Sequence, residues 1–334
     1  MRTESRQSKP LYNEVMERHH AVDVLFAEAR RERRCVVAPT STEFKAIQRR
    51  VRSGAVVKPF RGLYAQADYW NALDRYERVR HIVRALARSH PGWVFCGPTA
   101  AVMHRLDCSY RLAWPLHVAV SPDTHYRNTR QMRYHVISAP EVVDADGVKV
   151  TGLARTLFDC AAALSLRYSL APVDAALRAG LIGRDDLLAY PLSVKYARGR
   201  RAAARAFALS DARSENGGES SARGMLCDMG CPPDDIQVEF PCLDRPQRLH
   251  RVDFLWRVPD GGQVVLEFDG VRKYVDPDMV AGREIREVVD EERHRQRCLE
   301  RRNLSVVRMY ANELDAPGRV LQELEDRGVI RSMV

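Results

Sequence analysis

Three acids in the last third of the chain, Asp253, Glu267 and Asp269, have the type and spacing of a divalent-metal site. Glu267 and Asp269 stand two apart in the alternating stretch QVVLEFD (263–269). If that stretch is a strand, both carboxylates share one face, while Val264, Leu266 and Phe268 face the other and suit a core. Asp253 lies in a second strand-like stretch, RVDFLW (251–256), and Pro259-Asp260-Gly261-Gly262 is the turn that would fold the two into a hairpin. Carboxylates held together repel and raise one another's pKa. A Mg2+ or Mn2+ ion takes oxygen ligands and removes that penalty. It also activates water and stabilises the leaving oxygen in phosphodiester hydrolysis. In this reading Asp253, Glu267 and Asp269 hold the metal. Glu219 holds a second metal or its waters, and Lys273, four residues after Asp269, stabilises negative charge at the phosphate.

The same residues have plainer readings. Asp253 and Glu267 are also strand-end acids that pair with Arg251 or Arg295, Glu219 is an acid favoured at a helix N-terminus, and Lys273 is a solvated lysine. Cys227, Cys231 and Cys242 with His250 can be drawn as a zinc set, but the Cys-x3-Cys spacing has no second close pair to complete it. The eight cysteines show no disulfide framework. His104, His117, His125 and His135 are scattered and read as surface or core histidines.

Basic charge is concentrated near the start. The net charge is +9, and residues 1–64 hold 14 Lys/Arg against 7 Asp/Glu, a local surplus of +7. Clustered basic charge attracts polyanions and releases their counterions. An amphipathic helix is expected over 11–34, broken by Pro39. Thr40 and Glu43 have capping-box spacing and start a second helix, in which Phe44, Ile47 and Val51 share the apolar face. Lys45, Arg49, Arg50 and Arg52 occupy the rest of that helix, and a hairpin, AVVKPFRGLYA, follows with Lys58 and Arg61 near its tip. Helix, turn, basic helix and short β wing make a winged helix-turn-helix whose second helix enters a major groove. Residues 75–190 read as mixed α/β, 192–210 as an Ala- and Arg-rich helix, and SENGG (214–218) as a boundary.

Two resemblances follow from these segments. TSTEFKAIQRRVRSGAVVKPFRGLYA resembles the winged-helix module of AbiEi-type antitoxins. VTGLARTLFDCAAAL, around Arg155-Thr156 and Asp159, resembles the region that follows it in that family. This implies DNA binding and leaves a toxin partner open. Beyond residue 214 the expected order α-β-β-β-α-β is that of the PD-(D/E)XK nuclease core. Glu219-Ser220 with Arg223, Arg251-Val252-Asp253-Phe254, Glu267-Phe268-Asp269-Gly270, Lys273-Tyr274, Glu292 with Arg295, and Val307-Arg308 resemble nuclease-like domains related to very-short-patch repair endonucleases. One departure stands out: Asp269 occupies the place where the general motif has Lys.

The expected architecture is a multidomain α/β protein. It comprises a winged helix-turn-helix over 1–70, a mixed α/β domain over 71–190, a basic helical linker over 191–213 and a restriction-endonuclease-like αβββαβ core over 214–334. The expected function is a Mg2+- or Mn2+-dependent DNA endonuclease targeted by the winged helix. The alternative is an antitoxin-like DNA-binding transcriptional regulator with an inactive nuclease-like domain. No apolar run approaches the roughly 18 residues of a membrane helix, and MRTESRQSKPLYNEV lacks the apolar stretch of a signal peptide. A cytoplasmic protein is therefore expected.

Overall fold

Thr40 starts the basic helix as its capping chemistry requires: its hydroxyl accepts from the Thr42 N–H and pairs with the Glu43 carboxylate. The computed structural model that shows this describes residues 9–194, 198–269 and 285–332, so Lys195 and Lys273 lie outside the described residues. Two units form by contact, residues 1–104 with 110–152, and residues 105–109 with 153–334. The whole is mixed α/β, with twelve α-helices and three sheets among the described residues. No helix there is long and apolar enough to cross a membrane.

The first unit runs α1 (Lys9–Arg31), β1 (Val36–Val37), α2 (Ser41–Arg52), β2 (Val56–Phe60), β3 (Leu63–Gln66), α3 (Ala67–Ala72), α4 (Arg75–Ser89), β4 (Val94–Phe95), α5 (Gly97–Met103), β5 (Leu116–Val120), β6 (Met132–Val136), β7 (Val142–Ala145) and β8 (Val148–Thr151). The hairpin after α2 gains a third strand, in the order β1-β3-β2. Val22 and Phe26 of α1, Ala46 and Ile47 of α2, and Val56 and Tyr64 of the sheet close one small core. Phe44 departs from the expected apolar face: it is 46% exposed and meets Tyr64 only edge-on. A second sheet, β6-β5-β4-β8-β7, packs with α4 and α5 around Phe95, Leu116, Val118 and Val150.

His117 and His135 stack in this second sheet, with His117 Nδ1 2.9 Å from His135 Nε2. Burial, then the charges of His135 and Arg133, hold His117 down at about 4. An unfolded histidine titrates near 6.5. The folded value is therefore depressed, so the stabilisation is present above about pH 6.5 and is lost as pH falls through about 4. Thermal melts of the full chain should fall over that window, and His117→Asn, which keeps a polar partner for His135, should fall less steeply. Identical pH slopes for the two proteins would refute the assignment.

The second unit runs α6 (Leu153–Ala163), α7 (Leu166–Arg178), α8 (Arg184–Ser193), α9 (Arg200–Leu209), α10 (Gly217–Asp228), β9 (Asp235–Pro241), β10 (Leu249–Arg257), β11 (Gln263–Asp269), α11 (Ile285–Glu300), β12 (Leu304–Tyr310) and α12 (Gly318–Asp326). Its sheet order is β12-β11-β10-β9. β9, β10 and β11 are antiparallel neighbours, and β12 returns parallel to β11 after α11. A parallel return requires a crossover, and α11 is that crossover. β11 is consequently covered on both faces. Val264, Leu266 and Phe268 join Met225 and Leu226 of α10 and Val320 and Leu324 of α12 in one cluster. Val265 joins Leu299 of α11 in another.

Residues 153–213 fall by contact in this second unit. Ala203, Ala206 and Phe207 of α9 are buried. The SENGG stretch is a helix start: Asn216 accepts from the Gly218 and Glu219 N–H groups, and Ser214 is buried. α10 packs hard on α7, because a Cβ on Gly224 would collide with the Leu166 carbonyl.

Candidate functional site

The carboxylate site of the second unit is assembled by α10, β9, β10 and β11. Gly218 lets the first turn of α10 approach β11; a Cβ there would stand 2.7 Å from the Phe268 ring. That approach places Glu219, 4% exposed, over the sheet. Its carboxylate accepts from the Glu215 N–H at 2.8 Å, Asn216 Nδ2 at 2.6 Å and Gln237 Nε2 at 2.9 Å. The same Gln237 nitrogen lies 3.3 Å from Asp253 Oδ1, so one amide joins the two acids. Asp253 Oδ2 accepts from the Phe268 N–H at 2.7 Å, which fixes it beside Glu267.

Glu267 and Asp269 are each 6% exposed at the end of β11. Arg295 of α11 stands 2.5 Å from Glu267 Oε1, and its guanidinium also donates to the Arg251 carbonyl. Arg308, on the parallel neighbour β12, lies 3.5 Å from Asp269 Oδ2. Arg251 pairs with Glu215. Gln237 therefore joins Glu219 and Asp253, and Asp253 is held to the backbone of the residue after Glu267. The plainer pairing of Glu267 with Arg295 is realised.

The expected metal set was Asp253, Glu267 and Asp269. Among the described residues, the groups whose ligand atoms all lie within 4.8 Å of one another are Cys242, His250 and Cys298, and Cys242, Asp244 and His294; neither contains these acids. Arg295 stands at Glu267, Arg308 at Asp269, and Gln237 at Glu219 and Asp253. A Mg2+ or Mn2+ ion bound at Glu267 Oε1 would take the place that Arg295 holds there.

Gln237 was not singled out in the sequence. It sits on β9 with a backbone φ of 54°, a left-handed conformation that non-glycine residues adopt rarely and at some energetic cost. A glutamine inside a strand-like stretch gives no sign of this. Arg223, grouped above with the nuclease-like residues, has a different task. It is buried on α10 and pairs at 2.5 Å with Asp174 of α7, which is fully buried.

The basic candidate surface lies in the first unit. Lys45, Arg49 and Arg52 are exposed on α2 at steps of four and three, one stripe along the helix. Lys58 on β2 and Arg61 at the hairpin turn are exposed as well. Arg50 departs from the expected set. It turns back to α1 and pairs with Asp23 at 2.5 Å, so it braces the two helices instead of facing outward. Gln48 donates to the Tyr64 hydroxyl at 2.9 Å and fixes α2 to β3.

Residues 94–211 match the family of the AbiEi antitoxin C-terminal domain. The match includes Arg155, Thr156 and Asp159, where Arg155 Nε bonds Asp159 Oδ1 at 2.8 Å on α6. It leaves α2 and the β2–β3 hairpin outside. Similar relatives are two uncharacterized proteins of Mycobacterium tuberculosis, one from strain CDC 1551 / Oshkosh and one from strain ATCC 25618 / H37Rv. Each is 28% identical over 230 residues, covering 68% of this chain and 78% of the relative. No solved structure matches the chain.

Proposed function

We propose that the chain is a DNA-binding regulator of the antitoxin type, working in the cytoplasm, with residues 1–70 acting as a winged helix-turn-helix. The observation that carries this is the AbiEi antitoxin match over 94–211. The exposed Lys45, Arg49 and Arg52 stripe supplies the phosphate and groove contacts, with Lys58 and Arg61 on the wing. In this reading residues 71–190 engage a partner, a toxin-type protein being the candidate. The nuclease-like region over 214–334 is a scaffold whose acids are locked by Arg295, Arg308 and Gln237.

Binding to a DNA duplex, measured over a salt series, tests the proposal. Each lost phosphate contact lowers the slope of log K against log salt by about 0.9. Changing Lys45, Arg49 and Arg52 together to Ala should therefore flatten it by roughly 2.7 if each contacts one phosphate. Arg50→Ala should loosen the α1–α2 pairing with less effect on the slope. A folded triple variant with unchanged affinity and slope would sink the DNA-binding role of α2.

A second reading is a Mg2+- or Mn2+-dependent DNA endonuclease. What favours it is the bridging of Glu219 and Asp253 by Gln237 directly beside Glu267. The order α10, β9, β10, β11, α11, β12 also matches the αβββαβ order of that nuclease core. Lys273 belongs to this reading as the phosphate-stabilising residue. Metal-dependent nicking of plasmid by the unaltered protein, lost in Glu267→Gln, would install it in place of the regulator.

A further inference from the structure

Sulfur and imidazole groups with no role so far converge where α11 meets the β9–β10 turn. Cys242 follows β9 directly, and its N–H donates to the Arg248 carbonyl at 2.7 Å, which folds the chain back so that His250 on β10 comes alongside. His294 and Cys298 stand four apart on α11 and so share one helix face. Cys242 Sγ is 3.6 Å from Cys298 Sγ and 3.6 Å from His294 Nε2. The ligand atoms of Cys242, His250 and Cys298 all lie within 4.8 Å of one another, and all three residues are buried.

The two 3.6 Å separations at Cys242 Sγ are those of neighbouring ligands in a tetrahedral site. Zinc–sulfur bonds of about 2.3 Å and zinc–nitrogen bonds of about 2.05 Å place tetrahedral ligands about 3.8 Å apart for two sulfurs and about 3.6 Å apart for sulfur and nitrogen. Two further features point to a ligand. His250 is 3% exposed, and its Nε2 is buried without a conventional hydrogen-bond partner. The Leu243 N–H donates to Cys298 Sγ at 3.0 Å, so a backbone donor already supports that sulfur.

We propose that Cys242, His250 and Cys298 bind a structural Zn2+ ion, with His294, which groups with Cys242 but not with all three, turning in as the fourth ligand. A Cys2His2 donor set is the chemistry zinc takes in closed structural sites. Asp244 is the weaker fourth candidate because Arg301 holds it at 2.7 Å. The ion would pin α11 to the β9–β10 turn. Arg295 lies between His294 and Cys298 on that helix, so the same pin sets the guanidinium over Glu267. The site goes beyond the regulator and nuclease readings and depends on neither. It also differs from the Cys227, Cys231, Cys242 and His250 set considered from spacing. Cys227 ends α10 and Cys231 is buried in the core with Ala222 and Met225.

The test uses the full chain purified under reducing conditions. Elemental analysis should find one zinc per chain, and Cys242→Ala, His250→Ala and Cys298→Ala should each lose it. Cys227→Ala and Cys231→Ala should retain it. Because the ligand variants can fail to fold, a second measurement uses the unaltered chain. After zinc is removed by chelator, added Co2+ should give the visible bands of tetrahedral cobalt and a sulfur-to-metal charge-transfer band, both abolished by one equivalent of Zn2+. A chain that takes up no zinc overturns the proposal. So does an octahedral cobalt spectrum without charge transfer, or a Cys242–Cys298 disulfide in protein prepared without oxidant.

Discussion

Arg223→Met is expected to destabilise the protein by about 3–5 kcal/mol, the typical loss when one partner of a buried ion pair is removed. Asp174 is 0% exposed and Arg223 5% exposed, so the orphaned carboxylate has no route to water. Burial already pushes the Asp174 carboxyl up, and Arg223 is the first charge that opposes this. The pair also organises the chain around it: Asp174 Oδ1 accepts from the Asp211 N–H at 2.8 Å, and Arg223 donates to the Leu209 carbonyl. For a unit of this size the melting temperature should fall by roughly 10 °C. Adding Asp174→Asn to Arg223→Met should recover most of the loss. The amide keeps an acceptor for Asp211 while removing the charge. Arg213, whose side chain is 55% exposed beside Asp211, is the control; Arg213→Met should cost at most about 1 kcal/mol. Equal losses for the Arg223 and Arg213 variants would refute the burial argument. The same pair makes residues 153–213 part of the carboxylate-bearing unit, so a chain beginning at 214 should not fold by itself.

Arg295→Met should cost about 3 kcal/mol, for a related reason. Glu267 is 6% exposed and Arg295 stands 2.5 Å from its oxygen, so the substitution takes a positive charge from beside a buried carboxylate. Glu267→Gln should cost less, because it removes a carboxylate from the cluster. The double variant should lose well under the sum of the two single losses, a coupling that a double-mutant cycle measures. Chemical denaturation of the four proteins with and without Mg2+ separates the two functional readings. Under the regulator reading, Mg2+ leaves the Arg295→Met loss unchanged. If Mg2+ restores the stability of Arg295→Met but not of the double variant, the carboxylates hold the cation once the guanidinium is gone, and the nuclease reading gains. If Arg295→Met is as stable as the unaltered chain, the ion pair does not hold the site together.

Both results turn on pairings between residues far apart in the chain, and these are what local patterning does not encode. The alternation of QVVLEFD and the turn after Val258 determine β10 and β11, and with them the placement of Asp253 and Glu267 on adjacent antiparallel strands. The capping chemistry of Thr40 determines where α2 begins, and the spacing of Lys45, Arg49 and Arg52 determines that they form a stripe. Such features depend on neighbours within a few residues, where backbone geometry leaves few choices. What covers each face is decided elsewhere. Alternation predicted one polar face on β11, yet α11 crosses over that face and buries Glu267 and Asp269 beneath Arg295 and Arg308. Arg50 has the same charge as Arg49 and Arg52, and only the position of Asp23 on α1 turns it inward. Gln237 reaches two acids because its backbone takes a conformation that its residue type disfavours. Cys242 and Cys298, separated by 56 positions, meet because a parallel strand pair forces a helix back across the sheet. Periodicity determines which side of an element is apolar. The identity of the partner across that side is settled only when distant elements close the core, because that is where a charge or a thiol must find its counterpart away from water.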